Sequence, residues 1–401
     1  MRWVDGGPDL PEELLQRLED GRLVLFCGAG VSRSAGLPGF RGLIEQVYEK
    51  TNEKMRELEQ EEFDRLNFDR VLGLLETRIG AQHVRRPVID ILRLEQNANL
   101  ATHRSLLDLA TTSEGVCRLV TTNFDRGFEI AGATNIDTAP KLPVPKTDTW
   151  NSVVHLHGRI CDSDPDGRCL VMTSADFGRA YLTEGWASRF LSELFRRSSV
   201  LFIGYSAEDP VVRYMLDAFE AERAPNEDIG IYALVGCSAG NDDKEDRAWK
   251  AKNVTPLLYD NQDDHAALHE TISRWAACHR RGLLGKESIV QEHGGKSPTR
   301  PFDKDPLVSQ VLWALREESG RVAHVFARLD PAPPVEWLDA FEEDGLLSLP
   351  SAPSAAHGQG SWGPPLVGAS PQTTLHPRLN PISRALGEWL SRHLDKPEVL
   401  D

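Results

Sequence analysis

The sequence predicts an α/β protein: a doubly wound parallel sheet with a helical insertion, followed by a smaller, mainly helical C-terminal region. Three observations carry that expectation. Short apolar runs recur at residues 23–27, 118–121, 153–156, 170–172, 200–203 and 231–235, and they lack the alternation of a strand with one wet face. Stretches with helical spacing of apolar residues separate them, so each strand reaches the next by a crossover. Several runs end in small or polar residues, at the edge where open α/β sheets hold ligands.

The elements follow in order. Pro11 opens a short amphipathic helix that Gly21 ends. The strand at 23–27 runs into Gly28-Ala29-Gly30-Val31-Ser32, a turn that opens a helix. Residues 41–109 read as the helical insertion, with apolar residues at helical spacing over 68–79 and 88–94. Further helices are expected at 186–196, 210–222 and 265–275. The first domain is therefore placed at 1–283, and the polar, Gly- and Pro-bearing stretch 284–305 reads as a linker. Helical segments over 306–328 and 334–347 begin a C-terminal region, 306–401, interrupted by an irregular Ser-, Pro-, Gly- and Ala-rich segment at 350–379. A last helix starts at Asn380-Pro381. Ile382, Ala385, Leu386, Trp389 and Leu390 form one apolar face that calls for a partner surface, as in an assembly or the front part of a longer protein.

Composition narrows the class. Of 401 residues, 40% are hydrophobic and 26% charged, as in an ordinary globular protein. A formal net charge of −16 argues against a general grip on nucleic acid or anionic lipid, since both need neutralising cations. The first residues lack an export pattern and no apolar run could span a bilayer, so a cytoplasmic location is expected. Cys27, Cys117, Cys161, Cys169, Cys237 and Cys278 form no C-x-x-C pair, so they read as reduced cysteines and no structural zinc is expected.

Five pieces can carry chemistry. Gly28, Ala29 and Gly30 give a turn whose bare backbone can approach a diphosphate, although Arg33 stands where a third glycine would complete the usual fingerprint. Phe40 and Arg41 follow in a loop, an aromatic and a cation suited to a ring and to charged or hydroxyl groups. Asn123 and Asp125 flank Phe124 at a strand end and can share a side; the alternative is turn and cap residues. His157 ends another strand beside Gly158 and fits a general base; His155, of the same parity, is the runner-up, and a satisfied core histidine is the alternative for either. Gly204, Tyr205 and Ser206 form a third strand-end turn. There Ser206 and Asp209 can meet ribose or phosphate, or Asp209 can simply cap a helix.

Taken in order, Gly28-Ala29-Gly30-Val31-Ser32, Ala35-Gly36-Leu37-Pro38-Gly39-Phe40-Arg41, Thr122-Asn123-Phe124-Asp125, His157-Gly158 and Gly204-Tyr205-Ser206 resemble the sirtuin family. Tyr259-Asp260 through Asp263-Asp264-His265 to Leu268 looks like the end of bacterial sirtuin-like domains. A sirtuin deacylase usually has Asp where Gly39 stands, Gln where Thr122 stands, and a zinc module of paired cysteines. Without these, the chain is more similar to bacterial sirtuin-like NAD hydrolases of anti-phage defence.

That resemblance implies a Rossmann-like fold, NAD as substrate, and cleavage of the nicotinamide–ribose bond to nicotinamide and ADP-ribose without a metal. It implies that Asn123 positions the attacking water or ribose, His157 takes a proton and Asp125 holds the nicotinamide amide. Phe40 would shield the site, Arg41 organise its loop, and the Gly28–Gly30 turn with Ser32 hold the diphosphate. Homo-oligomers or a partner ATPase or sensor would restrain activity until a trigger arrives. An NAD-dependent protein deacylase and a non-catalytic module sensing NAD or ADP-ribose are the alternatives.

Overall fold

A computed structural model describes residues 1–146, 149–207, 212, 214–216, 229–238, 242–346 and 381–393. The chain divides into two compact units, Met1–Gly282 and Leu283–Asp401.

The first unit is built on a seven-stranded sheet. Its strands are β1 Leu23–Cys27, β2 Arg118–Thr121, β3 Ile136–Thr138, β4 Ser152–His155, β5 Ser199–Ile203, β6 Ile231–Cys237 and β7 Thr255–Asp260. They lie in the order β3-β4-β2-β1-β5-β6-β7, and every pairing is parallel. The order reverses at β1, which pairs with both β2 and β5, so this is the Rossmann-like, doubly wound arrangement. The runs Leu-Val-Leu-Phe-Cys of β1 and Ser-Val-Leu-Phe-Ile of β5 are buried along their whole length because both faces carry helices.

On one face Val24, Phe26, Val120, Val154, Val200 and Phe202 pack against Phe190, Leu191 and Leu194 of the helix Trp186–Phe195. The helical insertion between β1 and β2 has its own core. Helix α1, Glu12–Glu19, precedes β1, and the helices of the insertion are α2 Phe40–Thr51, α3 Glu57–Asp64, α4 Phe68–Ile79, α5 Ala81–Ile91 and α6 Ala101–Ala110. Ile44, Val47, Val71, Leu72, Leu75, Val84 and Val88 gather there, joined by Phe124, Leu170 and Met172.

Several expectations are corrected. Residues 170–172 are not a strand. Leu170 and Met172 enter the core of the insertion, Val171 enters the core on the sheet, and the Val171 amide donates to the His157 carbonyl (2.9 Å). A loop wedged between two cores is as apolar as a buried strand, and composition cannot tell them apart. Two strands lacked a clear signal: β3 is three residues long, and β7 carries Pro256, which a sheet tolerates at its edge. The expected helix at 210–222 lies mostly outside the described residues.

In the second unit, part of the expected linker is a helix. Leu283–His293 buries Glu287, Ile289, Val290 and His293 and packs on the helices Pro306–Leu315 and Arg321–Ala327. Its apolar residues come in adjacent pairs rather than one stripe, which hid it. The single helix expected over 306–328 is two, broken at Gly320 (φ 71°). The stripe on the last helix, Pro381–Ser391, finds its partner inside this unit: Trp389 lies 5.6 Å from the ring of Phe326 and 5.5 Å from that of Phe341. Its indole N–H donates to the Pro333 carbonyl (3.0 Å). The segment 350–379 lies outside the described residues. Among the described residues, no helix is long and apolar enough to cross a membrane.

A buried ion pair ties the insertion to the loop that follows β4. Arg85 of α5 meets Asp176 at 2.6 Å and Glu76 at 2.7 Å, and donates to the carbonyls of Gly167 and Leu170. Burial works against ionised Asp176. The Arg85 guanidinium and the Thr173 amide and hydroxyl outweigh it and hold the carboxyl below its usual range. Removing one partner of such a pair strands a charge away from water, so Arg85→Met should lower the unfolding free energy by about 3 kcal/mol. A loss below about 1 kcal/mol in urea denaturation would mean the pair is not a strut.

Candidate active site

Strand register builds the site. Cys27 is level with Thr121 and with Ile203, and Thr121 with His155. The residues that follow, Gly28, Thr122, Leu156 and Gly204, therefore leave the sheet along one carboxyl edge. Two of these loops touch backbone to backbone. The Gly30 amide donates to the Gly204 carbonyl (2.9 Å), and a methyl group on Gly30 would lie 2.7 Å from the Gly204 Cα. One on Gly28 would meet the Tyr205 ring at 2.7 Å. Gly204 itself is left-handed (φ 77°). The glycine turn is thus needed for the crossing of two loops, whatever ligand it also admits.

Below the turn lies an inner pocket of about 620 Å³, its solvent-open part included. Asn123, Asp125 and His157 all line it, with Ala29, Ser32 and Phe40. Asn123 donates from Nδ2 to the Gly28 carbonyl (3.0 Å) and to Ser32 Oγ (3.0 Å). Those two acceptors orient the amide, which leaves Oδ1 as its open acceptor. Ser32 Oγ donates to Asp125 Oδ2 (2.8 Å), and Asp125 Oδ1 accepts the Gly127 amide (2.7 Å). Ser32 therefore belongs to this polar cluster, and Asp125 already accepts at both oxygens.

Three buried histidines surround the cluster, and they differ in what their nitrogens can reach. His155 Nδ1 lies 3.0 Å from the Asn123 carbonyl, and its Nε2 is buried without a partner. His155 supports the backbone of Asn123 and does not open to the pocket. His103, which the sequence reading missed, sits on α6 with Nε2 3.4 Å from Ser32 Oγ and Nδ1 buried without a partner. Its only sequence signal is a histidine on the buried face of that helix. Ser32, His103 and Asp125 do not form a nucleophilic triad. The carboxylate accepts from the serine itself, leaving that hydroxyl no proton for the imidazole, and His103 Nδ1 has no acceptor among the described residues. His157 is different. Its Nε2 meets the Tyr181 hydroxyl at 2.8 Å, and its Nδ1 is not among the fully buried, unpartnered atoms although it makes no bond to a described residue. Nδ1 is the one ring nitrogen of these three histidines left for a ligand.

The pocket shares Ala29, Leu37, Pro38 and Phe40 with a wider outer cleft of about 2100 Å³. Gly30, Arg41, Gly204, Tyr205 and Ser206 line this cleft. Gly28 lines neither space; its carbonyl holds Asn123. Phe40 packs edge-on against Phe68 (5.5 Å), and the Arg41 guanidinium lies 4.6 Å from the Phe63 ring centre, so both are anchored in the insertion. Thr122 Oγ1 is bonded to the Tyr205 hydroxyl (2.8 Å). Asp264 and His265 form part of the far wall, in a left-handed turn with Asp263 (φ 51°, 53° and 64° for 263–265). Asp209 lies outside the described residues.

Residues 118–257 match the model of the SIR2-like domain. Over 358 residues the chain is 38% identical to protein y4cA of Sinorhizobium fredii, covering 85% of this chain and 29% of that one. Over 214 residues it is 25% identical to the NAD(+) hydrolase ThsA of Cytobacillus dafuensis, covering 52% of this chain and 40% of that one. The chain thus spans less than half the length of either relative. Similar solved structures include one described under the mechanism and regulation of Sir2 enzymes, with 12% identity, 67% of this chain and 97% of that one covered, and a TM-score of 0.38. Another is a Sir2 homologue in complex with NAD, with 18% identity, 69% and 96% covered, and a TM-score of 0.33.

Burial pushes the imidazoles down: His157 from 6.5 to about 3, and His103 and His155 in the same direction, with Asp125 opposing the shift in both. The unfolded chain then binds more protons than the fold below pH 6.5. The stability this supplies is complete above pH 6.5 and is lost as pH falls toward the folded value. Unfolding free energy should therefore drop between pH 7 and pH 5. His157→Gln should remove up to about 1.4 kcal/mol per pH unit of that slope. Equal slopes for parent and variant in urea titrations would mean that His157 is not held neutral.

Proposed function

We propose that this sirtuin-like chain is an NAD+ hydrolase that cleaves the nicotinamide–ribose bond to give nicotinamide and ADP-ribose. We further propose that it acts in the bacterial cytoplasm as an anti-phage effector by depleting NAD. One observation supports the chemistry: Asn123, whose Oδ1 makes no bond, and His157, whose Nδ1 makes none to a described residue, line the same pocket, near the loop crossing at Gly30 and Gly204.

Nicotinamide leaves neutral from a cationic pyridinium, so bond breaking needs no acid. It leaves an oxocarbenium ion on the ribose, which an acceptor-rich site tolerates. Asn123 Oδ1 takes a hydrogen bond from the attacking water. Water oxygen bonds to the sugar carbon, and its proton passes to His157 Nδ1. The imidazole is neutral and has the free lone pair this needs; burial weakens it as a base, so the proton passes late, once the water oxygen has begun to bond to the cationic sugar carbon and its own acidity has risen. Asp125 fixes Ser32, which helps to orient Asn123, and its remaining lone pairs can receive the nicotinamide amide. The outer cleft has room for the ADP portion, with Arg41, Tyr205 and Ser206 along it. The reaction as written uses no metal.

An effector of this kind must stay silent until it is triggered, through self-assembly or a partner ATPase or sensor. The decisive measurement is product analysis of NAD incubated with the chain, alone and with the products of its genomic neighbours. Nicotinamide and ADP-ribose in equal amounts are expected. Asn123→Ala and His157→Ala should each slow their formation by about a hundred-fold or more while leaving the circular dichroism of the fold unchanged. Variants that consume NAD at the parent rate would refute these assignments. Deacylation of an acetylated peptide, with O-acetyl-ADP-ribose formed, would turn the reading to a deacylase. Tight NAD binding with no product under every condition would turn it to a sensor.

A further inference from the structure

We infer that Tyr181 is a positioning residue for His157: its hydroxyl oxygen accepts the Nε2 proton, which leaves the lone pair of Nδ1 aimed into the pocket. The inference rests on the hydrolase reading for its kinetic consequence, but its structural part can be tested alone.

A neutral imidazole carries one proton, and the bond made by one nitrogen decides the state of the other. The Tyr181 hydroxyl stands 2.8 Å from Nε2 of His157, and Tyr181 is not among the residues that line the pocket. With the proton on Nδ1, the Tyr181 hydroxyl would donate to Nε2 instead, the pocket would meet a donor and the site would have no base. If it sat on Nε2 without an acceptor, a buried donor would go unsatisfied, at a cost of about 1–3 kcal/mol. Tyr181 removes that cost. It also keeps an acceptor in place while Nδ1 holds the second proton.

Among the described residues, aromatic side chains surround His157. Phe177 lies edge-on to His157 (5.1 Å) and lines the pocket, and Tyr181 is also edge-on to it (5.9 Å). Phe177 in turn stacks on Tyr214 (4.8 Å, 15°) and on Tyr181 (5.9 Å, 24°). Two aromatic rings thus pack edge-on against His157, and of the two Tyr181 carries the polar atom. Tyr181 is carried by a single π-helical turn, Arg179–Thr183, an irregularity that recurs at functional positions. Asp176 and Phe177 lie in the short helix Ser174–Gly178 just before it, so the Arg85–Asp176 pair also anchors this group.

The test is Tyr181→Phe, which keeps the ring in the stack and removes only the hydroxyl. In 15N-histidine NMR spectra, the parent should show His157 with the proton on Nε2 and a bare Nδ1, and the variant should show a mixture of tautomers. In NAD cleavage the variant should lose about ten-fold in kcat with KM within about two-fold, because substrate contacts remain and the base is misdirected. A parent His157 protonated on Nδ1 would overturn the inference, and so would a variant with parent kcat and a single tautomer. If the parent cleaves no NAD, the hydrolase reading fails by itself, and the tautomer comparison still decides whether Tyr181 sets the ring.

Discussion

The contact between the Gly28–Gly30 turn and Gly204 is the constraint on which the rest of the site depends. Because β1 pairs in register with β2 on one side and β5 on the other, three loops leave the sheet at one level. Only backbone can fit where two of them cross, since a Cβ at Gly30 would sit 2.7 Å from the Gly204 Cα. That closeness brings the Gly28 carbonyl to the Asn123 amide and the Tyr205 hydroxyl to Thr122. Widening the crossing by one side chain would disturb both, and with them the floor and wall of the pocket.

Polar groups in the pocket are ordered by one another rather than by solvent. Asn123 is held by two acceptors, Ser32 by a donor and an acceptor, and Asp125 by two donors. Such a chain holds its open atoms in place before any ligand arrives. Among the described residues no charged group supports His157 in the same way; burial lowers its pKa, and its polar neighbour is a phenol.

Support for His157 reaches back into the insertion. Arg85 on α5 grips Asp176 and two carbonyls of the loop after β4, and the chain from Asp176 leads within a few residues to Phe177 and Tyr181. The insertion also carries Phe40 and Arg41 on α2, packed against Phe68 and Phe63. One helical subassembly thus sets both the rim of the pocket and the far side of its histidine.

The sequence by itself determined the layered α/β class, the central strands and the strand ends that meet at the pocket. Those features are written in local terms: apolar runs the length of a strand, glycines where a chain must turn sharply, and polar residues just beyond a strand. The short β3, the Pro-bearing β7 and the helix Leu283–His293 lacked such a local mark, and the loop at 170–172 imitated one. Only the tertiary structure decided which histidine opens to the pocket, that Ser32 binds Asp125 and Asn123, that Tyr181 stands behind His157, and that the last helix is covered by its own unit. These depend on side chains dozens to nearly a hundred positions apart meeting at hydrogen-bond distance. The spacing of residues along a chain does not encode which of its polar atoms burial will leave without water.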